Sequence, residues 1–319
     1  MTWRPRFLWI SLVALSMTGC GLSGFGLSAG TDAELAADAK LPPAGKFKLA
    51  TYNVENLFDG SNTVLDPKTS PPKSDEEKQM LAKSLHTLNA DVVGMVEVES
   101  LATLRKFRDT YVPDMGYKYI ALNEGNDPRG IDVAIMSRFP ITHLQSHENA
   151  EFGVPGQSAP GKLSRDLLEA TIKVGKGYSF TLFMTHLKAR PGDPPSDAKR
   201  KAEAQFIRHI LRDFEDQHTN ANYALMGDFN DHPDSETLKV FLDGRDRDPR
   251  LFDALSELGP QAYSYHPIKY RGRIDYILLS EGIRKEYVAG SAQIQNTPEA
   301  LAASDHLPGS VLIDASRDL

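Results

Sequence analysis

The chain has 319 residues, 40% hydrophobic and 25% charged, an ordinary globular composition that allows one large domain or two small ones. A formal net charge of −7 argues against a broadly basic surface for gripping a polyanion. It does not exclude a phosphate substrate, because acidic residues gathered into a divalent-metal site would themselves raise the negative count.

Arg4 and Arg6 precede an almost wholly apolar stretch at 7–17, and Thr18-Gly19-Cys20 follows. A basic head, a short apolar core and small residues before a cut form a secretory signal, and the run is too short for a comfortable membrane span. Met17-Thr18-Gly19-Cys20 resembles a bacterial lipobox, so residues 1–20 are expected to be a lipoprotein signal, with Cys20 lipidated. Gly21 after the cysteine favours the outer membrane in a Gram-negative host; without lipidation the protein would be secreted. Cys20 is the chain's one cysteine, which leaves no internal disulfide and no thiolate chemistry for the body. Residues 21–45 are rich in Gly, Ser, Ala and Asp and read as a flexible tether to a single domain at 46–316.

Residues 47–53 alternate apolar and polar as a strand does, and end in Asn53-Val54-Glu55-Asn56. Ser74 with Glu77 forms a capping box ahead of a helical stripe of Met80, Leu81, Leu85 and Leu88. A second strand at 92–96 runs into Glu97-Val98-Glu99, and a helix follows with Leu101, Leu104, Phe107 and Tyr111 on its core side. Strands are predicted at 117–122 and 131–137, an exposed loop at 148–162, and a hairpin pair at 167–174 and 178–185 that ends in His186. A helix at 197–214 leads to the apolar run 223–226, broken by Gly227-Asp228-Phe229-Asn230. Because strand positions i and i+2 share a side, Asp228 and Asn230 are expected to face one pocket. A short helix at 236–242 and strands at 263–265, 274–279 and 311–313 complete the chain, with Ser304-Asp305-His306 just before the last. Strands interleaved with helices, yet consecutive in the middle, predict mixed sheets covered by helices.

Asn53, Glu97, His186, Asp228/Asn230, Asp275 and Asp305/His306 share one form, an apolar strand ending in a polar group. Each alone reads as a cap or turn residue. Asp275, between Ile274 and Tyr276, is harder to excuse, because a buried carboxylate needs a partner and a histidine suits it. Carboxylate and amide oxygens are hard ligands for Mg²⁺, with Mn²⁺ or Ca²⁺ as alternatives, rather than for zinc. Within the domain at 46–316 no Gly-x-x-x-x-Gly-Lys-Ser/Thr, Gly-x-Gly-x-x-Gly or Gly-x-Ser-x-Gly segment occurs, which disfavours a nucleotide cofactor and a serine hydrolase.

In order, Thr51-Tyr52-Asn53-Val54-Glu55-Asn56, Val96-Glu97-Val98-Glu99, Thr185-His186-Leu187, Gly227-Asp228-Phe229-Asn230, Arg273-Ile274-Asp275-Tyr276 and Ser304-Asp305-His306 resemble the endonuclease/exonuclease/phosphatase superfamily, and most of all its bacterial secreted nucleases. The resemblance implies an α/β fold of four layers, two mixed β-sheets packed face to face with helices outside. It implies Glu97 as principal metal ligand, with Asn53 and Asp305 adjoining. Asp228 would orient and deprotonate the attacking water or assist a second metal, and Asn230 would hold that water or a phosphate oxygen. His306, fixed by Asp275, and His186 would face the scissile phosphate, with acid and base unassigned between them. Arg165 and Asp132 match positions near the substrate phosphate. The implied protein is a metal-dependent phosphodiesterase, a monomer, with nucleic acid, most of all DNA, as substrate and the membrane reached through its lipid. Its rivals are a hydrolase of lipid head groups or small phosphoesters, and a surface binding protein that has lost catalysis. Residues 192–195 and 263–271, with Lys269, Arg271 and Arg273, are expected along the substrate cleft, the three cations contacting phosphate or lying on a solvated edge.

Overall fold

The computed structural model describes residues 41, 43–60, 71–190, 193–244 and 250–318. Cys20, the expected signal and most of the expected tether lie outside these residues. Its end does not: Pro43 forms a parallel bridge with Lys176, and Gly45 O accepts Ala315 N–H. Among the described residues, no helix is long and apolar enough to cross a membrane.

The elements in chain order are β1 (Lys46–Leu57), α1 (Asp75–Leu88), β2 (Val92–Val98), α2 (Leu101–Tyr111), β3 (Tyr119–Asn123), β4 (Asp132–Ser137), β5 (Ile141–Ser146), β6 (Glu151–Phe152), β7 (Gly161–Lys162), β8 (Leu167–Gly175), β9 (Tyr178–His186) and α3 (Pro194–Gln217). There follow β10 (Tyr223–Asp228), α4 (Glu236–Leu242), β11 (Phe252–Asp253), β12 (Asp275–Leu279), α5 (Glu281–Arg284), β13 (Gln293–Ile294), α6 (Pro298–Ala303) and β14 (Gly309–Asp314). Two six-stranded sheets have the orders β13-β14-β1-β2-β4-β3 and β11-β12-β10-β9-β8-β5. In each, one parallel pair (β1–β2, β9–β10) sits among antiparallel neighbours, so both sheets are mixed.

Period-two alternation divides the core into three layers. Phe47 and Leu49 of β1, Val92 and Val96 of β2, Leu182 and Met184 of β9, Ala224 and Met226 of β10 and Ile277 of β12 fill the space between the sheets. The alternate residues Tyr52, Val54, Val93 and Met95 meet Leu81, Leu85, Leu104 and Phe107 of α1 and α2. On the other side Phe183, Tyr223, Leu225 and Tyr276 meet Ile207, Leu211, Leu238 and Phe241 of α3 and α4. Helices, sheet, sheet and helices thus make the four layers that the family resemblance implied, and the mixed sheets are those that the sequence pattern predicted. The sheets approach so closely at Gly94 that a Cβ there would lie 2.1 Å from Met184 Sδ.

Three expectations need correcting. Residues 263–265 form no strand; Tyr265 makes isolated bridges to Gly272 and His306. The loop at 148–162 carries the β6–β7 ribbon, anchored where Phe152 stacks on Phe206 of α3. The edge strand β5 escapes a pattern reading because His143 and Gln145 interrupt its apolar alternation. The helix α3 begins three residues earlier than expected, with the Asp193 side chain accepting Ser196 N–H and two prolines in its first turn.

Candidate active site

The inward-facing rows of the interior end in polar residues at one rim. Asn53 continues the row of Phe47, Leu49 and Thr51; His186 continues Leu182 and Met184; Asp228 continues Ala224 and Met226. Across the second sheet His186, Asp228 and Asp275 are register partners on β9, β10 and β12, so three polar side chains stand in a line. All of these groups are buried, Asn53 and Asp275 to 1% exposure.

Glu97 reaches the same place by breaking the pattern. Strict alternation would turn it outward with Val93 and Met95. The register shifts between Val96 and Val98, and Glu97 adopts a left-handed φ of +69°. Such a bulge re-aims a side chain, at a strain of about 1–3 kcal/mol that the surrounding contacts hold in place. The Glu97 carboxylate accepts Asn53 Nδ2 at 3.3 Å and Asn56 N–H at 3.2 Å.

Asn53 joins the two sheets. Its Nδ2 lies 3.3 Å from Glu97 Oε1, 3.1 Å from Asp228 Oδ2 and 3.4 Å from His306 Nε2, while its Oδ1 accepts Glu55 N–H. The amide thus faces the centre through its nitrogen and brackets two carboxylates, rather than offering its oxygen to a cation. Beyond it, His306 Nδ1 is 2.7 Å from Asp275 Oδ2, and Nε2 is 3.8 Å from Asp228 and 3.9 Å from Asp305. His186 Nε2 lies 3.6 Å from Asp228 Oδ2. Burial works against a charged His306, but the carboxylates of Asp275, Asp228 and Asp305 win and raise its pKa. Burial, with Arg165 and His306 nearby, pushes His186 well below the usual range, so it is neutral. Burial and the charge of Asp275 raise Asp228, against the pull of His306.

The other expected residues fall less centrally. Asn230 has φ +52° and lies beyond the end of β10, so strand periodicity does not carry it into the pocket beside Asp228. Its N–H donates to Asp228 Oδ1 at 2.8 Å and its Nδ2 to Leu187 O at 3.1 Å; it braces Asp228. Arg165 donates to the same Leu187 carbonyl and lies 3.0 Å from Asp127. Asp132 stands apart, accepting Gly125 N–H at 2.6 Å. Arg273 is buried and forked onto Asp253 at 3.0 and 2.7 Å over the Tyr276 ring, so it faces away from substrate; Lys269 and Arg271 are exposed.

The sequence reading overlooked three contributors, Glu55, Lys73 and Arg129. Glu55, at φ +48°, accepts Asp305 N–H at 2.8 Å. Lys73 is buried, donates to Ala303 O at 2.7 Å and feels the carboxylates of Glu55, Asp305 and Glu97. Arg129 is forked onto Asp127 at 3.2 Å by Nε and Nη2 and bears electrostatically on Glu97 and His186. Tyr265, within the expected segment 263–271, packs against His306 with ring centroids 5.0 Å apart and the planes tilted by 57°. The i, i+2 spacing of Asn53 and Glu55 was a usable signal; Lys73 and Arg129 carried none, since only the folded chain brings them close.

Two groups suit a cation. Asp228, Asp275 and His306 have ligand atoms within 4.8 Å of one another. Within it, however, His306 Nδ1 and Asp275 Oδ2 already satisfy each other at 2.7 Å, a buried dyad of the kind that holds protons, while Asp275 Oδ1 is left without a hydrogen-bond partner among the described residues. Glu97, Asp305 and Glu55 are half-buried and all-oxygen, the hard donor type that a divalent ion takes; Glu55 accepts Asp305 N–H and Glu97 accepts Asn56 N–H.

Two mixed sheets, helices outside and a carboxylate–imidazole cluster on their shared rim define a class, the α/β-sandwich hydrolases of phosphoester bonds. The chain belongs to the Endonuclease/Exonuclease/phosphatase family, whose model matches residues 50–306. No curated protein sequence matches it. Its fold is similar to the human Nocturnin catalytic domain with bound sulfate, at TM-score 0.59 and 19% identity, covering 86% of this chain and 96% of that one. ANGEL2, a 2',3'-cyclic phosphatase, is similar at TM-score 0.62 and 14% identity over 88% and 97% of the two chains. A family protein from Bacteroides vulgatus gives 0.59 and 16% over 85% and 99%.

Proposed function

We propose that this protein is a divalent-metal-dependent phosphodiesterase that cleaves nucleic acid, DNA foremost, as a monomer held at the bacterial cell envelope by lipid on Cys20. The observation that carries the reading is the single amide of Asn53, which touches Glu97, Asp228 and His306 at once. Side chains from both sheets thereby share one centre of donors, acids and a cationic imidazole.

In-line hydrolysis suits this arrangement. Asp228, kept ready to accept a proton by its raised pKa, takes one from the attacking water while the water oxygen bonds to phosphorus. The opposite P–O ester bond breaks and its oxygen leaves, to be protonated from solvent. His306, held charged by Asp275, offers Nε2–H to the oxygens on which negative charge accumulates. His186 is neutral and orients Asp228 or the phosphate. Asn53 and Asn230 hold Asp228 from two sides. Arg165 and Arg129, on Asp127, line the side of His186 with positive charge for a phosphate. Glu97 and Asp305, with Glu55 beside them, would hold the divalent cation, which when bound supplies positive charge against the phosphate oxygens.

The test is digestion of plasmid and of single-stranded DNA with Mg²⁺, Mn²⁺ or Ca²⁺ and with EDTA, beside Asp228→Ala and His306→Ala. We expect cleavage that EDTA abolishes and either substitution lowers by at least ~10³-fold. Activity that survives both substitutions, or release of phosphocholine from sphingomyelin with DNA left intact, overturns the reading.

A further inference from the structure

Beside the reaction centre, residues 265–272 form a closed loop whose base is fixed and whose tip is bare. Tyr265 and Gly272 pair through both backbone groups at 2.9 and 3.2 Å. His266 N–H donates to Asp305 O at 3.1 Å, its Nε2 lies 2.8 Å from Ser304 O, and Leu307 N–H donates to Ser264 O at 2.7 Å. The loop is therefore clamped to the segment that carries His306. At the tip, Ile268 is 87% exposed and Tyr270 62%, the two most exposed large hydrophobic residues among those described. No hydrophobic cluster of the described residues includes either side chain, so both present apolar surface to water. Cations alternate with them: Lys269 Nζ lies 4.8 Å from the centre of the Tyr270 ring, and the Arg271 guanidinium 4.6 Å from that of Tyr263.

We propose that this tip is a base-stacking wedge that makes unpaired nucleic acid, rather than intact duplex, the preferred substrate. The inference rests on the nucleic-acid reading above and specifies its substrate. Aromatic faces interleaved with cations bind single strands, the rings stacking on bases and the cations following phosphates. Bases inside a duplex have no face to offer. The chain's net charge of −7 removes a general attraction for phosphate, so a local stacking contact carries more of the affinity. The clamp matters equally. Three residues separate Ile268 from Tyr265, a reach of at most ~10 Å. With the Tyr265 ring 5.0 Å from that of His306, a base stacked at the tip thus sits within about four to five base steps, each ~3.4 Å, of the phosphate facing His306. A bilayer would need no such register with the reaction centre.

The test is fluorescence anisotropy in EDTA with a labelled single strand and with the same sequence as a blunt duplex, using the wild type and Ile268→Ser/Tyr270→Ala. Thermal midpoints should not change, because both side chains are exposed. The wild type should bind the single strand at least tenfold more tightly, and the double variant should lose ~10- to 100-fold of that binding. Tyr270→Phe should retain it. Replacing Lys269 and Arg271 by Gln should instead flatten the salt dependence, by ~1.4 in the log–log slope for two phosphates. Equal affinity for strand and duplex, or a double variant that binds like the wild type, overturns the proposal. So does loop-dependent binding to phosphatidylglycerol vesicles without discrimination between the DNA forms. Wild-type hydrolysis of bis(p-nitrophenyl) phosphate in Mg²⁺ or Mn²⁺ separates the cases: if it persists, the wedge alone has failed and the hydrolase reading stands.

Discussion

Asp275→Asn changes one charge at the heart of the site while sparing its shape. The Asp275 carboxylate lies 2.7 Å from His306 Nδ1, and both groups are buried. At an effective dielectric of ~20, opposite charges ~3 Å apart attract by about 5 kcal/mol. The amide oxygen still accepts from Nδ1–H, so the net loss is nearer the ~1.5–3 kcal/mol of a charge-assisted hydrogen bond. That is a fall of ~1–2 units in the pKa of His306, at 1.36 kcal/mol per unit. Removing the same charge lowers the pKa of Asp228, since Asp275 is among the causes that raise it. The profile of kcat/KM against pH should therefore shift to lower pH on both limbs, with the maximum reduced ~10- to 150-fold. Histidine-detected NMR titration should follow His306 directly. A His306 titration that does not move, or a shift toward higher pH, refutes the assignment of Asp275 as the counter-charge. Stability is a separate readout: wherever His306 is charged, losing its buried counter-charge should lower the unfolding free energy by ~1.5–3 kcal/mol.

Asp132→Asn should stabilise the protein above neutral pH. Burial first, then Glu124, Asp127 and Asp166, raise Asp132 from 3.8 to about 7 against the Gly125 hydrogen bond. The folded state then holds its proton longer than the unfolded chain, so stability falls as pH rises from ~4 to ~7, by up to ~4 kcal/mol. Urea unfolding should show no difference between variant and wild type at pH 4 and a gain of ~1–4 kcal/mol at pH 8. Lys73→Met should cost ~1–3 kcal/mol in EDTA, because Ala303 O and the acids around Lys73 lose their cation. Saturating Mg²⁺ should restore more of the melting temperature in that variant than in the wild type; equal losses in both media would sink the idea. Gly227→Ala should cost at least ~4 kcal/mol and abolish soluble expression, because φ is +136° and a Cβ would lie 1.8 Å from Thr185 O.

What could be read from the sequence follows from where alternation holds. Asn53, His186 and Asp228 end rows that begin as ordinary core residues, so their convergence follows from period two alone. Glu97 was singled out as a polar strand end and made a metal ligand by family resemblance, although alternation pointed it the other way until a bulge reversed it. Asn230 was misplaced for the converse reason: the strand stops at Asp228, and a left-handed residue follows no strand rule. Lys73, Arg129 and the loop carrying Ile268 lie in irregular backbone, where no periodicity ties a residue number to a direction. The orientation of the Asn53 amide also lay beyond reach. It depends on Glu55 N–H, a donor placed there by the positive φ that follows the strand.

Strand direction explains why one rim, and not the other, gathers these groups. The parallel pairs β1–β2 and β9–β10 run through the middle of the two sheets, and all four strands end at the site, with Asn53, Glu97, His186 and Asp228 at or near their carboxyl ends. Their antiparallel neighbours begin there, β12 with Asp275 and β14 a few residues after His306. The order of pairing is the same in both sheets: antiparallel, parallel, antiparallel, antiparallel from β14 to β3 and from β12 to β5. Under that correspondence β1 answers to β10 and β2 to β9, so Asn53 meets Asp228 from equivalent strands. The two sheets therefore contribute the same two positions but different chemistry. The first supplies an amide and a half-buried carboxylate; the second supplies a buried acid and a neutral imidazole. On the mechanism proposed above, exposure would divide the work, because a hard cation keeps its waters and needs the open side, whereas a proton is held and passed in the dry one.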